Sequence, residues 1–279
     1  MQDVTRTRTK ARTRTNALPR AKALTASAIV ATIAAWAGWH ALQERQRVGA
    51  LILNETLPVH SKWWRERAKR KGELLYVAIG DSAAQGIGAS APHRGYVGIL
   101  GRDIRRLTGR SVRTVNLSVS GATVGDAVGV QLPRLAKLQP DVVTVAIGAN
   151  DIPRFDAAEF ERDLRTVYSA LPSHAVVGEV PYFYLPHNEA RVSQANAIVH
   201  RIADELGLRV APVHATTRRR GMLGALTLFA MDFFHPNDRG YRDWADAFEP
   251  ELTAELAGRF PKADPKADPK SDPAADAAT

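Results

Sequence analysis

The chain has no cysteine among its 279 residues. That excludes disulfide cross-links and a thiolate nucleophile, and it leaves zinc without its softest ligand. It does not identify a compartment, because secreted chains can also lack cysteine. No His-Glu-x-x-His occurs, and the glycine-bearing turn at 80–88 lacks the lysine of a phosphate-binding loop. No metal and no cofactor is therefore expected. Acids are nearly missing from residues 1–22, where seven Lys and Arg stand against Asp3 alone. That arm holds +6 of the formal net charge of +9, so the basicity belongs to one terminus and not to a binding face. No nucleic-acid partner is expected from it.

Residues 23–42 (ALTASAIVATIAAWAGWHAL) carry no Asp, Glu, Lys or Arg. The length suffices to cross a bilayer, and Trp36 and Trp39 lie near its far end, where indoles favour the interface. Only Arg45 and Arg47 are cationic in residues 43–60. The asymmetry predicts a cytoplasmic arm at 1–22, a transmembrane signal anchor at 23–42 attaching the protein to the membrane, and an extracytoplasmic remainder. The alternative is secretion after cleavage near Ala35-Trp36-Ala37. Residues 43–72 read as a helical stalk broken at Pro58, ending in KWWRERAKRKG. Its tryptophans either rest on anionic headgroups or pack on the following domain. At the other end, 261–279 repeats Pro-Lys-x-Asp with nothing apolar larger than Ala, as a disordered tail does.

Between these flanks, residues 73–260 alternate apolar β-rich runs with amphipathic segments. The runs are LLYVAIG (74–80), VRTVNLSV (112–119), DVVTVAIG (141–148), AVVGEVP (175–181) and LRVAPVH (208–214). Helices are predicted over 94–108, 123–138, 157–170, 188–206 and 238–258. Two runs are almost continuously apolar, which suits strands buried on both faces of a parallel sheet. The pattern predicts a single three-layer α/β/α domain with a mostly parallel five-stranded sheet. In such sheets ligands bind beyond the carboxyl ends of the strands, at a switch in strand order. Ser82, Gly121 and Asn150 each fall just past one of the first three strands, and they converge if those strands are neighbours.

Ser82 follows Gly80-Asp81, and Asp232 and His235 stand three residues apart about 150 positions later. These supply a nucleophile, an orienting carboxylate and a base, with Gly121 and Asn150 as candidate oxyanion donors. Acyl-ester hydrolysis needs that set. Each residue alone also suits a plainer role: Gly-Asp-Ser makes a turn and cap, Asp232 starts a helix, and Gly121 permits positive φ. The combination in order is what points to a site.

The chain resembles the SGNH (GDSL-type) hydrolases, particularly their bacterial lysophospholipase, thioesterase and arylesterase branch. Four blocks carry the resemblance: Gly80-Asp81-Ser82 with Gly86, VNLSVSGAT with Gly121, Gly148-Ala149-Asn150-Asp151, and Asp232-x-x-His235-Pro236. Ala83-Ala84 stand where the name-giving pattern has Leu and often Thr. The resemblance implies a flavodoxin-like fold and a Ser82–His235–Asp232 triad acting through an acyl-enzyme. It also implies an oxyanion hole made by the Ser82 and Gly121 amides and the Asn150 side chain. Asp81 reads as a structural acceptor that shapes the turn.

The expected activity is hydrolysis of acyl esters, with a lysophospholipid or small carboxylic ester as substrate. The alternatives are an O-acetyl esterase or acetyltransferase acting on cell-envelope glycans, or a catalytically silent adaptor with the same fold. Phe183, Tyr184, Leu185 and Phe234 are candidates to contact the substrate. The apolar stretch 221–231 reads as a lid, an acyl-chain wall or a packed helix, and Arg218-Arg219-Arg220 as a headgroup contact or a solvated run.

Overall fold

The computed structural model describes residues 18–184 and 186–261. The basic arm as far as residue 17, the tail from 262 and Leu185 lie outside the described residues. Backbone contacts divide the chain into two units, Met1–Arg47 and Val48–Thr279.

Helix α1 (Leu18–Ala68) begins in the first unit and ends in the second. In the first unit, residues 32–47 are exposed throughout, including Ile33, Trp36, Trp39 and Leu42. The transmembrane expectation is corrected here: among the described residues no helix is long and apolar enough to cross a membrane. The segment lacks charge, but eight of its twenty residues are Ala and four are Thr, Ser or His, which contribute little transfer free energy. Absence of charge is a weaker condition than hydrophobicity.

The predicted break at Pro58 is also absent, since α1 continues through it to Ala68. An interior proline costs about 3 kcal/mol. Burial compensates: Leu53 and Trp64 are 8% and 5% exposed, and Trp64 joins the core of the second unit. The tryptophan-bearing end therefore packs on the domain.

In the second unit, β1 (Leu74–Gly80) leads into the short α2 (Ser82–Gln85) and then α3 (Tyr96–Thr108). β2 (Val112–Asn116) is followed by α4 (Val124–Asp126), a π-helical turn over Ala127–Gln131, and α5 (Leu132–Leu135). Next come β3 (Val142–Ala146), α6 (Ala157–Ser169), β4 (Ala175–Gly178), α7 (Pro186–Leu206) and β5 (Arg209–Ala211). The remaining helices are α8 (Val213–Arg218), α9 (Gly221–Thr227) and α10 (Asp238–Arg259).

The five strands form one sheet in the order β2-β1-β3-β4-β5, and every pairing is parallel. Alternation along β1 feeds two cores. Val77 and Ile79 join Val143, Val145 and Val177 on the face covered by α6 and α7. Tyr76 and Ala78 join Val142 and Val176 on the face covered by α3 and α10. Because both faces are buried, β1 and β3 have no polar side and read as unbroken apolar runs. Strand order reverses between β1 and β3, which opens a crevice at their carboxyl ends.

One buried polar contact closes the top of β1. Gln131, fully buried at the end of the π turn, donates its side-chain amide to Gly80 C=O (2.8 Å) and accepts from Gly80 N–H (3.0 Å). Replacing it with an apolar side chain would strand the Gly80 amide without a partner. Gln131→Leu is expected to destabilise the fold by about 1–3 kcal/mol. Urea unfolding should show this as a lower midpoint at unchanged slope, and an unchanged midpoint would refute the assignment.

Candidate active site

Ser82 begins α2 directly after β1 and is 5% exposed. Asp81 caps that helix: its Oδ1 accepts from Ala83 N–H at 2.9 Å. The Ser82 hydroxyl lies 2.9 Å from His235 Nε2, joining residues 153 positions apart. On the other side of the ring, Nδ1 lies 2.5 Å from Asp232 Oδ2. Asp232 is 2% exposed, and its Oδ1 accepts the backbone N–H groups of Phe234 and His235, both at 3.1 Å. The same carboxylate thus shapes the turn and holds the ring in register with it. Burial alone would raise the Asp232 carboxyl, but the His235 ring and the two amides outweigh it and hold the pKa below its ordinary value. An ionised Asp232 fixes the proton on Nδ1 and leaves Nε2 free to accept from Ser82. The three groups form one hydrogen-bonded line, the arrangement that activates a hydroxyl.

The loop at 87–90 packs against this line. Gly88 has φ +94, and a Cβ there would lie 2.5 Å from Pro236 O and 2.9 Å from His235 Cβ. Only glycine combines that backbone with that approach. The neighbouring Ser90 and Arg94 bind Asp238 at the start of α10, which ties the two loops together.

The candidate oxyanion donors come from the ends of β2 and β3. Gly121 lies in the exposed loop after β2 with φ +80, and among the described residues its N–H meets no protein acceptor. Asn150 Nδ2 donates to Ala122 C=O at 3.0 Å and approaches Asp81 Oδ2 at 3.5 Å. The second contact is at the limit of a hydrogen bond, so that proton is available to an arriving oxyanion. Asp151 turns to Val124 N–H (3.2 Å), linking the β3 loop to α4.

Phe183 and Phe234 are brought together beside the ring of His235. Their centroids lie 6.3 Å apart, and Phe234 meets His235 edge-on at 5.1 Å. Tyr184 is placed differently, with its ring on Tyr182 and Phe229 and its hydroxyl donated to Thr217 C=O at 3.2 Å. Tyr184 and Phe233 are the two non-glycine residues with positive φ (62 and 53) among those described. Such backbone costs on the order of 1 kcal/mol per residue. It occurs here in the two loops that carry the aromatic pair. The Glu189 carboxylate braces one of them, accepting from Phe183 N–H at 2.6 Å and pairing with His214 at 2.9 Å.

Two residues with no sequence signal also support the serine. His60 Nδ1 and Trp64 Nε1, both from α1, donate to Gln85 C=O at the end of α2, at 2.9 and 3.0 Å. Burial pushes the His60 imidazole down and so keeps it neutral. Asn116 donates to the next carbonyl, Ala84 C=O, at 2.7 Å. The free carbonyls of a four-residue helix are thereby satisfied by side chains from elsewhere. Trp64→Phe keeps most of the ring's bulk but deletes one donor. It is expected to lower stability by about 1 kcal/mol and to reduce turnover more than KM, and steady-state kinetics that match the parent would argue against any coupling.

Asp81 and Asp151 titrate unusually. Burial pushes both up to about 6, and Asp81 adds repulsion to Asp151. The folded protein therefore keeps protons that the unfolded chain releases above pH ~4. Ionising Asp81 consequently costs stability as pH rises from about 4 to 6. Asp81→Asn, which mimics the protonated form, should melt close to the parent at low pH and progressively above it towards neutrality. Paired thermal melts across that range test the sign, and a constant difference would contradict the shift.

Residues 78–242 match the GDSL-like Lipase/Acylhydrolase family. No curated protein matches the chain. Among solved structures, one similar fold is an alpha/beta hydrolase enzyme from the metagenome of Lake Arreo, Spain. It is 26% identical, with a TM-score of 0.56, over 68% of this chain and 99% of that one. An acetylxylan esterase from Geobacillus stearothermophilus is 24% identical, with a TM-score of 0.52, over 64% and 94%. The psychrotrophic esterase EstA from Pseudoalteromonas is 21% identical, with a TM-score of 0.51, over 66% and 99%.

Proposed function

We propose, since the chain belongs to the GDSL-like lipase/acylhydrolase family and is a carboxylic ester hydrolase, that Ser82, His235 and Asp232 carry its reaction through an acyl-enzyme. The observation behind this reading is the continuous line from Ser82 Oγ through His235 to Asp232, at 2.9 and 2.5 Å. Ser82 Oγ bonds to the ester carbonyl carbon as its proton passes to His235 Nε2. Asp232 accepts from Nδ1–H throughout and stabilises the imidazolium. The Ser82 and Gly121 amides and the Asn150 side chain receive the oxyanion. Collapse breaks the bond to the alkoxy oxygen, which leaves as the alcohol with the proton from His235. Water, deprotonated by the same ring, then releases the acid and restores Ser82.

The substrate is an ester whose acyl or alcohol part is apolar, such as a lysophospholipid or a small carboxylic ester. Support comes from the Phe183–Phe234 pair beside His235, with Phe234 41% exposed. Tyr184 has its hydroxyl committed to Thr217 and serves to hold the loop. The acetylxylan esterase relative makes acetyl esters the natural comparison in any assay.

The test is hydrolysis of chromogenic esters from acetate to long acyl chains by the whole protein. Ser82→Ala is expected to abolish turnover at every length, and activity surviving in a folded Ser82→Ala protein would sink the mechanism. Asn150→Ala is expected to lower kcat by about 100- to 1,000-fold with little change in KM, as loss of one oxyanion donor does. A profile rising beyond acetate favours the lipid-type substrate, and one confined to acetate favours deacetylation.

A further inference from the structure

An exposed apolar surface of the second unit extends from α9 towards the proposed site, and of its residues the proposed reaction uses only Phe234. On α9, Met222, Leu223 and Leu226 are 73%, 70% and 77% exposed. Their spacings of three and four place them on one helical face. The opposite side is closed: Gly224 is buried, and a Cβ there would collide with the Tyr184 hydroxyl. The helix is thus seated on the domain by its inner side and turns its apolar side to water. Met231 and Phe234, 46% and 41% exposed, extend the patch towards His235.

This helix is wired to the catalytic loop. Asn237 donates from its side chain to Thr227 and Phe229 C=O (2.9 and 3.0 Å) and from its backbone to Leu228 C=O (2.9 Å). Ala230 N–H donates to His235 C=O at 2.8 Å. Whatever α9 rests on is therefore held at a defined position relative to Ser82 and His235.

Three features identify the occupant. Met222, Leu223 and Leu226 are each at least 70% exposed, so the face does not enclose a single acyl chain and fits a surface instead. Its side chains are Met and Leu, which adapt to a fluid apolar medium. At its N-terminal edge, Arg218 and Arg219 are exposed and pair with no carboxylate among the described residues, whereas Arg220 is bound by Asp243. Apolar side chains rimmed by free cations suit an anionic lipid surface.

We propose that the outer face of α9, with Met231 and Phe234, is the surface through which this hydrolase docks on an anionic lipid–water interface and takes esters embedded there. The second half of this statement rests on the ester-hydrolase role of Ser82; the docking itself does not.

The test uses the full chain carrying Ser82→Ala, so that binding is read without hydrolysis. Partition onto phosphatidylglycerol-rich vesicles is compared with partition onto phosphatidylcholine alone. Adding Met222→Ser, Leu223→Ser and Leu226→Ser together should weaken partition roughly tenfold or more, because interfacial affinity scales with buried apolar area. Adding Arg218→Gln and Arg219→Gln instead should reduce the preference for phosphatidylglycerol. The basic N-terminal arm is common to all variants and cancels in the comparison, and circular dichroism confirms that each is folded. Unchanged partition of the serine variant overturns the proposal. So does sedimentation showing a dimer that Leu226→Ser dissociates, which would make the face a self-interface. Loss of docking would leave hydrolysis of water-soluble esters intact, so the two readings fail separately.

Discussion

Burial of β1 on both faces is the constraint from which the rest of this domain follows. A parallel strand with no solvent face needs helices on either side, and Tyr76 and Val77 each meet a different core. With β2 on one side of β1 and β3 on the other, strand order reverses where β1 ends. The chain must leave the sheet there through a tight turn, and Ser82 is the first helical residue after it. The loops after β2 and β3 emerge on either side of that turn, carrying Gly121 and Asn150. The position of the chemistry is thus a consequence of how the sheet is covered.

Placing a serine at such a point creates an unsatisfied end, because α2 is only four residues long. Its last two carbonyls, and the end of β1, are met by side chains from elsewhere. Gln131 brackets Gly80, Asn116 reaches Ala84, and His60 and Trp64 reach Gln85. The His60 and Trp64 contacts accompany the continuation of α1 beyond Pro58, since its last turns hold the Ser82 turn as well as core. The burial that makes these bonds necessary also raises Asp81 and Asp151. The site carries strain in its backbone and in its charges, and the surrounding packing supports both.

Much of the fold was legible because the relevant signals are local. Unbroken apolar runs marked β1 and β3, and β1 occupies the same seven residues that were predicted. The flanking helices differ from expectation by a few residues, mostly at frayed ends. The candidate site residues are legible because they fall in short blocks of fixed spacing, such as Gly80-Asp81-Ser82 just past β1 and Asp232-x-x-His235. Elsewhere the reading failed for physical reasons. Residues 23–42 are long and uncharged but too rich in Ala and hydroxyls to pass as a span, and tertiary burial outweighs the helix-breaking tendency of Pro58. The pattern of 221–231 fits a lid, a wall or a packed helix alike, and in the structure α9 is seated by one face and bare on the other.

Residue type and spacing within a few positions suffice for the fold class, the strand runs and the nucleophile–base–acid candidates. Packing between distant segments is what brings His60, Trp64 and Gln131 to the serine turn and Tyr184 to Thr217. It also leaves Met222, Leu223 and Leu226 in water on the outer face of α9. Those are contacts between segments 21 to 51 residues apart, or a consequence of which face of a helix another segment covers. No local pattern encodes them, because the energy that selects them exists only once the sheet has brought the segments together.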